Sequence, residues 1–265
     1  MSFHRNQAER DEMGAVFAET DVARCYVDRP PYAPALYEFL LDQVAGRGRA
    51  LDLGCGPGKI AIALARHFLG VVALDPSAAM IEAGQAADAG RHGNIDWVVS
   101  SAEAYESGEG FDLVAAGTSI HWPDHAVVFP KLAGWTRMVA IVTGDAPARA
   151  PCGDAAWEAF LTRWLARLGR VYNPAGLTAE GSRHEAWMDI AGRERFAFTF
   201  RQSVEAFISS QHSRATWSRA AMGRALADEF DRDLDDLMRP FATDGRLALE
   251  MVSELTWGAP RQSRA

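Results

Sequence analysis

The sequence predicts an α/β protein built on a doubly wound, mostly parallel, seven-stranded sheet with a helical insertion after its fifth strand. Three observations predict it. Five short apolar runs, at 50–53, 71–75, 95–99, 111–116 and 138–143, alternate with helical patterns at 58–68, 77–87 and 124–135. Such alternation means a parallel sheet covered on both faces. A glycine-rich turn, LDLGCGPGK, joins the first run to the first of those helices. Two further strand candidates, RFAFTF at 195–200 and LALEMVSELTW at 247–257, arrive only after a helical block, as if a late antiparallel pair completes the sheet.

The elements follow in order. Residues 1–30 are polar and mixed, helical around 8–24, and 1–33 is set apart as an N-terminal lid segment. Pro30, Pro31 and Pro34 interrupt the chain, and Pro34 can open a helix because its missing N–H would be unsatisfied there anyway. Leu36, Phe39, Leu40 and Val44 then give that helix one apolar face. The core runs from 34 to 145, with Ser77 as N-cap of the 77–87 helix and Met80 and Ile81 on its apolar side. After Asp145, APARAPCG reads as a loop. A helix at 153–169 carries Trp157, Phe160, Leu161, Trp164 and Leu168 on one stripe, and 171–194 reads as irregular. Residues 146–194 are thus a helical insertion. From 195 the chain returns to the sheet, with further cap helices starting at Ser203 and spanning 224–242.

Composition excludes several partner classes. The 265 residues carry a formal net charge of −8, with 48% apolar and 23% charged residues. Affinity for nucleic acid comes largely from Lys and Arg neutralising phosphates, so no nucleic-acid partner is expected. No apolar run reaches the roughly 18 residues of a membrane span, and the polar N-terminus lacks a signal-peptide core. Cys25, Cys55 and Cys152 have no CxxC or CxxH spacing, which suits a reducing cytoplasm and predicts no metal site. A small-molecule ligand and a monomer or homodimer are the expectation.

The glycine loop carries the chemistry. Gly54, Gly56 and Gly58 follow a strand and precede a helix, so a ligand can approach the backbone and the free N–H groups of the helix start. The spacing fits neither phosphate motif. G-x-G-x-x-G would need a glycine where Lys59 stands, and a P-loop would need a hydroxyl where Ile60 stands.

LDLGCGPGK resembles the first motif of the class I S-adenosylmethionine-dependent methyltransferases, whose fold is Rossmann-like. The neighbouring segments VVALDPSAAMIEAG, NIDWVVSSAEAY and FDLVAAGTSIHWPD resemble the family's later motifs. The last of these, with YVDRPPYAPALYEFL upstream, is similar to the small-molecule branch that includes trans-aconitate methyltransferase-like enzymes. The resemblance covers about 20–145 closely and 146–265 only in layout. It implies S-adenosylmethionine as methyl donor and a small-molecule acceptor methylated at O or N. It implies a cofactor site of Tyr26, Asp52, Gly54, Cys55, Gly56, Gly58, Asp75, Pro76, Met80, Ser101, Ala102, Glu103 and Gly117. Asp75 would accept the ribose hydroxyls, Asp52 would orient the loop or the methionine ammonium, and 101–103 would edge the adenine. The alternative is an inactive binding or partner subunit with the same fold. A nicotinamide oxidoreductase fits the loop less well.

Methyl transfer from a sulfonium needs alignment and desolvation more than acid catalysis. His121, just past the fourth strand, is the candidate general base if the acceptor must lose a proton. Pocket lining beside Trp122 is its other reading. Arg29, His121, Trp122 and His212 are the expected acceptor pocket. Arg29 could equally pair with Asp28 alone. Arg163, Arg167, Arg170, Arg183, Arg193, Arg195, Arg201, Arg214 and Arg219 could bind a carboxylate or merely solvate helix faces.

Overall fold

The structure, a computed structural model, describes residues 15–171 and 183–264. The stretch 8–14 of the expected N-terminal helix and part of the 171–194 region fall outside the described residues. Among the described residues, seven strands form one sheet: β1 (Arg49–Leu53), β2 (Gly70–Asp75), β3 (Ile95–Val99), β4 (Leu113–Gly117), β5 (Val139–Thr143), β6 (Met188–Ser203) and β7 (Arg246–Pro260). Their order is β3-β2-β1-β4-β5-β7-β6. The first five pair in parallel, and β7 joins β5 and β6 antiparallel.

Before the sheet come α1 (Thr20–Tyr26) and α2 (Pro34–Gln43). Crossovers are α3 (Lys59–Leu64), α4 (Ala78–Asp88) and α5 (His125–Trp135). Both sheet faces bury apolar side chains. Leu36, Leu40, Ile60 and Leu64 pack on one face, and Val128, Phe129 and Leu132 on the other. Strands β1, β2, β4 and β5 are buried almost throughout, as a doubly covered parallel sheet requires. α3 ends at Leu64 rather than 68, because the carbonyls of Ala65 and Phe68 turn to the side-chain amide of Asn94.

The helical cap is α6 (Asp154–Arg167), α7 (Val204–His212), α8 (Arg219–Met222) and α9 (Arg224–Met238). It therefore draws on both the insertion after β5 and the β6–β7 connection. Phe160, Trp164, Trp217 and Phe230 form its aromatic core, and Trp217 stacks on Phe230 at 5.3 Å. Each such side chain contributes about 1.5–3 kcal/mol through burial. α9 stops at Met238, short of the expected 242, because Pro240 cannot continue a helix.

Strand β6 starts at Met188, seven residues earlier than the alternation suggests. A bulge between Ile190 and Gly192 hides the period. A Cβ at Gly192 would lie 2.4 Å from the Trp257 ring, so glycine there lets the strands stay paired. β7 pairs with β5 only over Glu254–Gly258. The rest of the β6–β7 ribbon overshoots β5 at its carboxyl end and carries the cap over the edge where α/β sheets bind ligands. No helix among the described residues is long and apolar enough to cross a membrane.

Candidate functional site

The glycine loop is a tight turn held by the sheet. The N–H groups of Gly54 and Cys55 both donate to the Leu74 carbonyl, at 2.8 and 2.9 Å, and Gly58 N–H donates to Cys55 O at 2.9 Å. Gly54, Gly56 and Gly58 have φ of +69°, +51° and +76°, a region that L side chains enter at a cost. At Gly54 and Gly58 a Cβ would also strike Ser119 at 2.6 Å and Trp97 at 2.4 Å. At Gly56 the nearest atom is Tyr26 at 3.8 Å, so the backbone there stays open to the cleft.

Asp75, at the end of β2, pins this loop. Its Oδ2 accepts from Gly56 N–H at 2.8 Å and its Oδ1 from Ser77 N–H at 2.9 Å. Burial raises its pKa, and the two N–H groups oppose that. Ser77 caps α4 by accepting from Met80 N–H at 3.1 Å, while its hydroxyl donates to Phe17 O at 2.7 Å. Asp52 is buried below the loop, and its Oδ2 accepts from Ala61 N–H at 2.8 Å. Burial, against that hydrogen bond, pushes its pKa up to about 7, and the Asp75 charge adds to the rise.

A narrow cleft lies between Tyr26, Tyr32, Asp52, Gly54, Cys55, Pro57, Lys59, Ile60 and Gly117. Gly117 must be glycine because a Cβ would meet Ile60 at 2.7 Å and the Tyr32 hydroxyl at 2.9 Å. Tyr32 is tied to Thr118 Oγ1 at 3.1 Å. Cys55 is a buried wall residue whose thiol burial pushes well above its ordinary pKa, which suits the filler reading rather than a nucleophile.

The chain before α2 crosses this cleft. Arg29 lies 3.9 Å over the Tyr26 ring. It donates to Asp145 Oδ2 at 2.7 Å, to Ser213 Oγ at 2.7 Å and to Ser213 O at 2.9 Å. Lys59 donates to the carbonyls of Arg29 and Pro30, holding that segment down on the loop. Burial lowers the Lys59 pKa to about 7, with Asp145 opposing and Arg29 adding. Asp145 is buried, which disfavours its charge, but Arg29 and Arg214 beside it outweigh burial and hold its pKa below the usual range. Burial and the Arg29 charge pull the Arg214 pKa down, yet an arginine stays protonated.

Among the other expected site residues, Met80 is fully buried against Val22 and Ala23, and Pro76 is exposed beside Asp75. Residues 101–105 form a single turn, with Ala104 N–H on Ser101 Oγ at 3.2 Å. Ala102 packs against the sheet, and Glu103 accepts from Asp124 N–H at 2.8 Å, so its carboxylate supports α5. His121 lies 4.7 Å from the Trp122 ring, and Phe17 packs edge-on to Trp122 at 5.6 Å. His212 does not reach over the site. It is buried in the cap, donating from Nδ1 to Trp217 O at 2.7 Å and meeting Asp231 through Nε2. The reason is local: α7 runs to His212 with its ring turned toward α9, and the residue that reaches back to the cleft wall is the next one, Ser213, through Arg29. Trp157, Trp187 and Trp217 all serve packing. Sequence reading missed Tyr32, Lys59, Asp145 and Ser213. The available signal was Lys59, a long cation inside a glycine loop that follows an apolar strand.

Comparison with known proteins decides the family. Residues 50–139 match the model of a methyltransferase domain. The chain is 27% identical over 201 residues to a trans-aconitate 2-methyltransferase of Methylobacterium radiotolerans, covering 69% of this chain and 71% of that protein. It is 29% identical over 205 residues to the trans-aconitate 2-methyltransferase of Streptomyces coelicolor, covering 72% and 65%. The chain carries a methyltransferase domain. The fold agrees: a candidate type II methyltransferase of Anaeromyxobacter dehalogenans superposes with a TM-score of 0.66 at 24% identity, covering 89% of this chain and 99% of that one. The match with the domain model stops at β5, so the methyltransferase carries its cap and its Arg29–Asp145–Ser213 contacts outside or at the border of the shared segment.

Proposed function

We propose that this chain transfers the methyl group of S-adenosylmethionine to a carboxylate oxygen of a small acidic metabolite. The observation that carries the reading is the charge of the acceptor side: Arg29, Lys59 and Arg214 surround a single carboxylate, Asp145, beyond the end of β5. With Lys59 about half protonated near pH 7, that leaves an excess of between one and two positive charges in a chain whose net charge is −8. A low-dielectric site lined with uncompensated cations favours an anion. The names of the two relatives agree in type, since both are said to act on trans-aconitate.

The residues at the loop fit the donor. Three glycines leave the backbone approachable, Asp75 stands at the end of β2 where ribose hydroxyls would be accepted, and Asp52 offers a carboxylate for the amino-acid part. Ser101, Ala102 and Met80 are assigned to the adenine on the motif resemblance. When bound, S-adenosylmethionine supplies an electrophilic methyl on sulfur. The protein's part is to bind, orient and exclude water. Tyr26, Tyr32 and Gly117 wall the cleft, and Lys59 keeps the 29–30 segment closed over it. An ionised carboxylate has no proton to lose, so no general base is needed and His121 serves as wall beside Trp122.

The test measures S-adenosylhomocysteine release across small di- and tricarboxylates, amines and phenols. Turnover confined to carboxylates, giving a base-labile methyl ester, is expected. Turnover on amines or phenols alone overturns the acceptor reading. Asp75→Asn is expected to weaken S-adenosylmethionine binding at least about tenfold, roughly 1.4 kcal/mol. Unchanged affinity would remove the cofactor assignment.

A further inference from the structure

The cations at the acceptor side are not equivalent. Arg29 has its guanidinium taken up by Asp145 and Ser213. Lys59 has two backbone carbonyls. Arg214 is partly buried, and among the described residues its guanidinium makes no hydrogen bond and no ion pair. Its place is nonetheless fixed. Trp217 N–H donates to Arg214 O at 2.9 Å, and His212 Nδ1 donates to Trp217 O at 2.7 Å. Next to it, Ser213 takes two hydrogen bonds from Arg29, which itself lies on the Tyr26 ring in the cleft wall. A rigid loop thus holds a free guanidinium within one residue of the cleft. It sits next to another arginine, and the one carboxylate that attracts it, Asp145, is already hydrogen-bonded to Arg29, so its own hydrogen-bond donors stay unused.

We propose that Arg214 is the specificity-determining residue of the acceptor site, binding a non-reacting carboxylate of the substrate through its planar fork. This rests on the carboxylate reading given under Proposed function and adds a requirement to it. In the transfer, a carboxylate oxygen attacks the methyl carbon. The new C–O bond forms as the C–S bond breaks, the electron pair stays on sulfur, and no proton moves. The attacking oxygen therefore needs a free lone pair. A carboxylate held bidentately by an arginine has both oxygens hydrogen-bonded and its charge neutralised, which makes it the poorer nucleophile. The carboxylate on Arg214 is then a second one, and the acceptor must carry at least two.

The experiment compares wild type with Arg214→Met and Arg214→Lys. Calorimetry with tricarballylate on enzyme loaded with S-adenosylhomocysteine reads binding without turnover. Kinetics with trans-aconitate, fumarate and their monomethyl esters read KM and kcat. In wild type, replacing the second carboxylate by an ester is expected to raise KM about a hundredfold. In Arg214→Met, KM for the free acids rises by the same factor, the acid–ester difference disappears, and Arg214→Lys falls between. S-adenosylhomocysteine affinity stays within twofold, and the melting temperature changes little, because removing Arg214 relieves its repulsion with Arg29 while losing its attraction to Asp145. If wild type binds these acids and Arg214→Met binds them within threefold, the Arg214 assignment is overturned while the carboxylate reading stands. If wild type binds and methylates no carboxylate, or binds inorganic phosphate in their place, the carboxylate reading falls and Arg214 falls with it.

Discussion

Replacing Asp52 with asparagine is expected to stabilise the protein at pH 8 and to leave it unchanged at pH 4. Asp52 is 1% exposed, and its only charge-stabilising hydrogen bond among those described comes from Ala61 N–H. Burial lifts its pKa from 3.8 to about 7. A rise of about 3 units corresponds to about 4 kcal/mol between the two protonation states. The folded protein holds this proton up to about pH 7, whereas the unfolded chain loses it near pH 4. The group's contribution is therefore fully present below pH 4 and lost as pH climbs to 7. The isosteric amide keeps an acceptor for Ala61 and never ionises, so it avoids the loss. Allowing for the amide's own desolvation, a gain of about 2–4 kcal/mol at pH 8 follows. Urea denaturation of both proteins at pH 4, 5, 6, 7 and 8 measures it, with the difference between the two curves isolating Asp52 from other carboxylates. S-adenosylmethionine binding is expected to move the other way, weakening in the variant and losing its rise with pH through 7. A variant that is less stable than wild type at pH 8, or a difference that does not vary with pH, would refute the reasoning.

Outcomes for three further variants follow from the geometry. Gly56→Ala meets only an ordinary contact, Tyr26 at 3.8 Å, but keeps φ near +51°, so it is expected to cost about 1–2 kcal/mol in denaturant unfolding. Gly58→Ala adds a clash with Trp97 and costs more; equal costs for the two would show that the ring contact does not constrain the loop. His212→Ala strands Trp217 O and half of Asp231 in the cap, and is expected to cost about 3 kcal/mol. Because it loosens the loop carrying Arg214, KM for carboxylate acceptors is expected to rise without a change in S-adenosylmethionine affinity, which kinetics and calorimetry separate.

Much of the sheet was legible because its signals are local. Strands β1 to β5 were placed within two residues at each end by apolar runs, and the Ser77 cap by its hydroxyl before an apolar helix. The glycine triplet was legible for the same reason: a left-handed φ is a property of one residue, and glycine announces it. The start of β6 was not, since the bulge at Gly192 breaks the two-residue period, and its compensating contact, the Trp257 ring, lies in another strand.

The acceptor site shows the limit more sharply. Arg29 was a candidate, but its partners, Asp145 and Ser213, lie 116 and 184 residues away. Nothing near Arg214 in sequence separates it from the eight other arginines of the cap region. His212 looked better and proved to be an internal brace. An exposed arginine and a desolvated one are spelled alike. What sets them apart is the neighbours that exclude water, and these are brought together only when the β6–β7 ribbon carries the cap over the end of β5. By itself, the sequence determined the sheet, the glycine loop and the class of methyl donor it suits, since each depends on the backbone needs of adjacent residues. Tertiary structure alone decided which charges meet at the acceptor side, because desolvation is a property of the assembled surroundings.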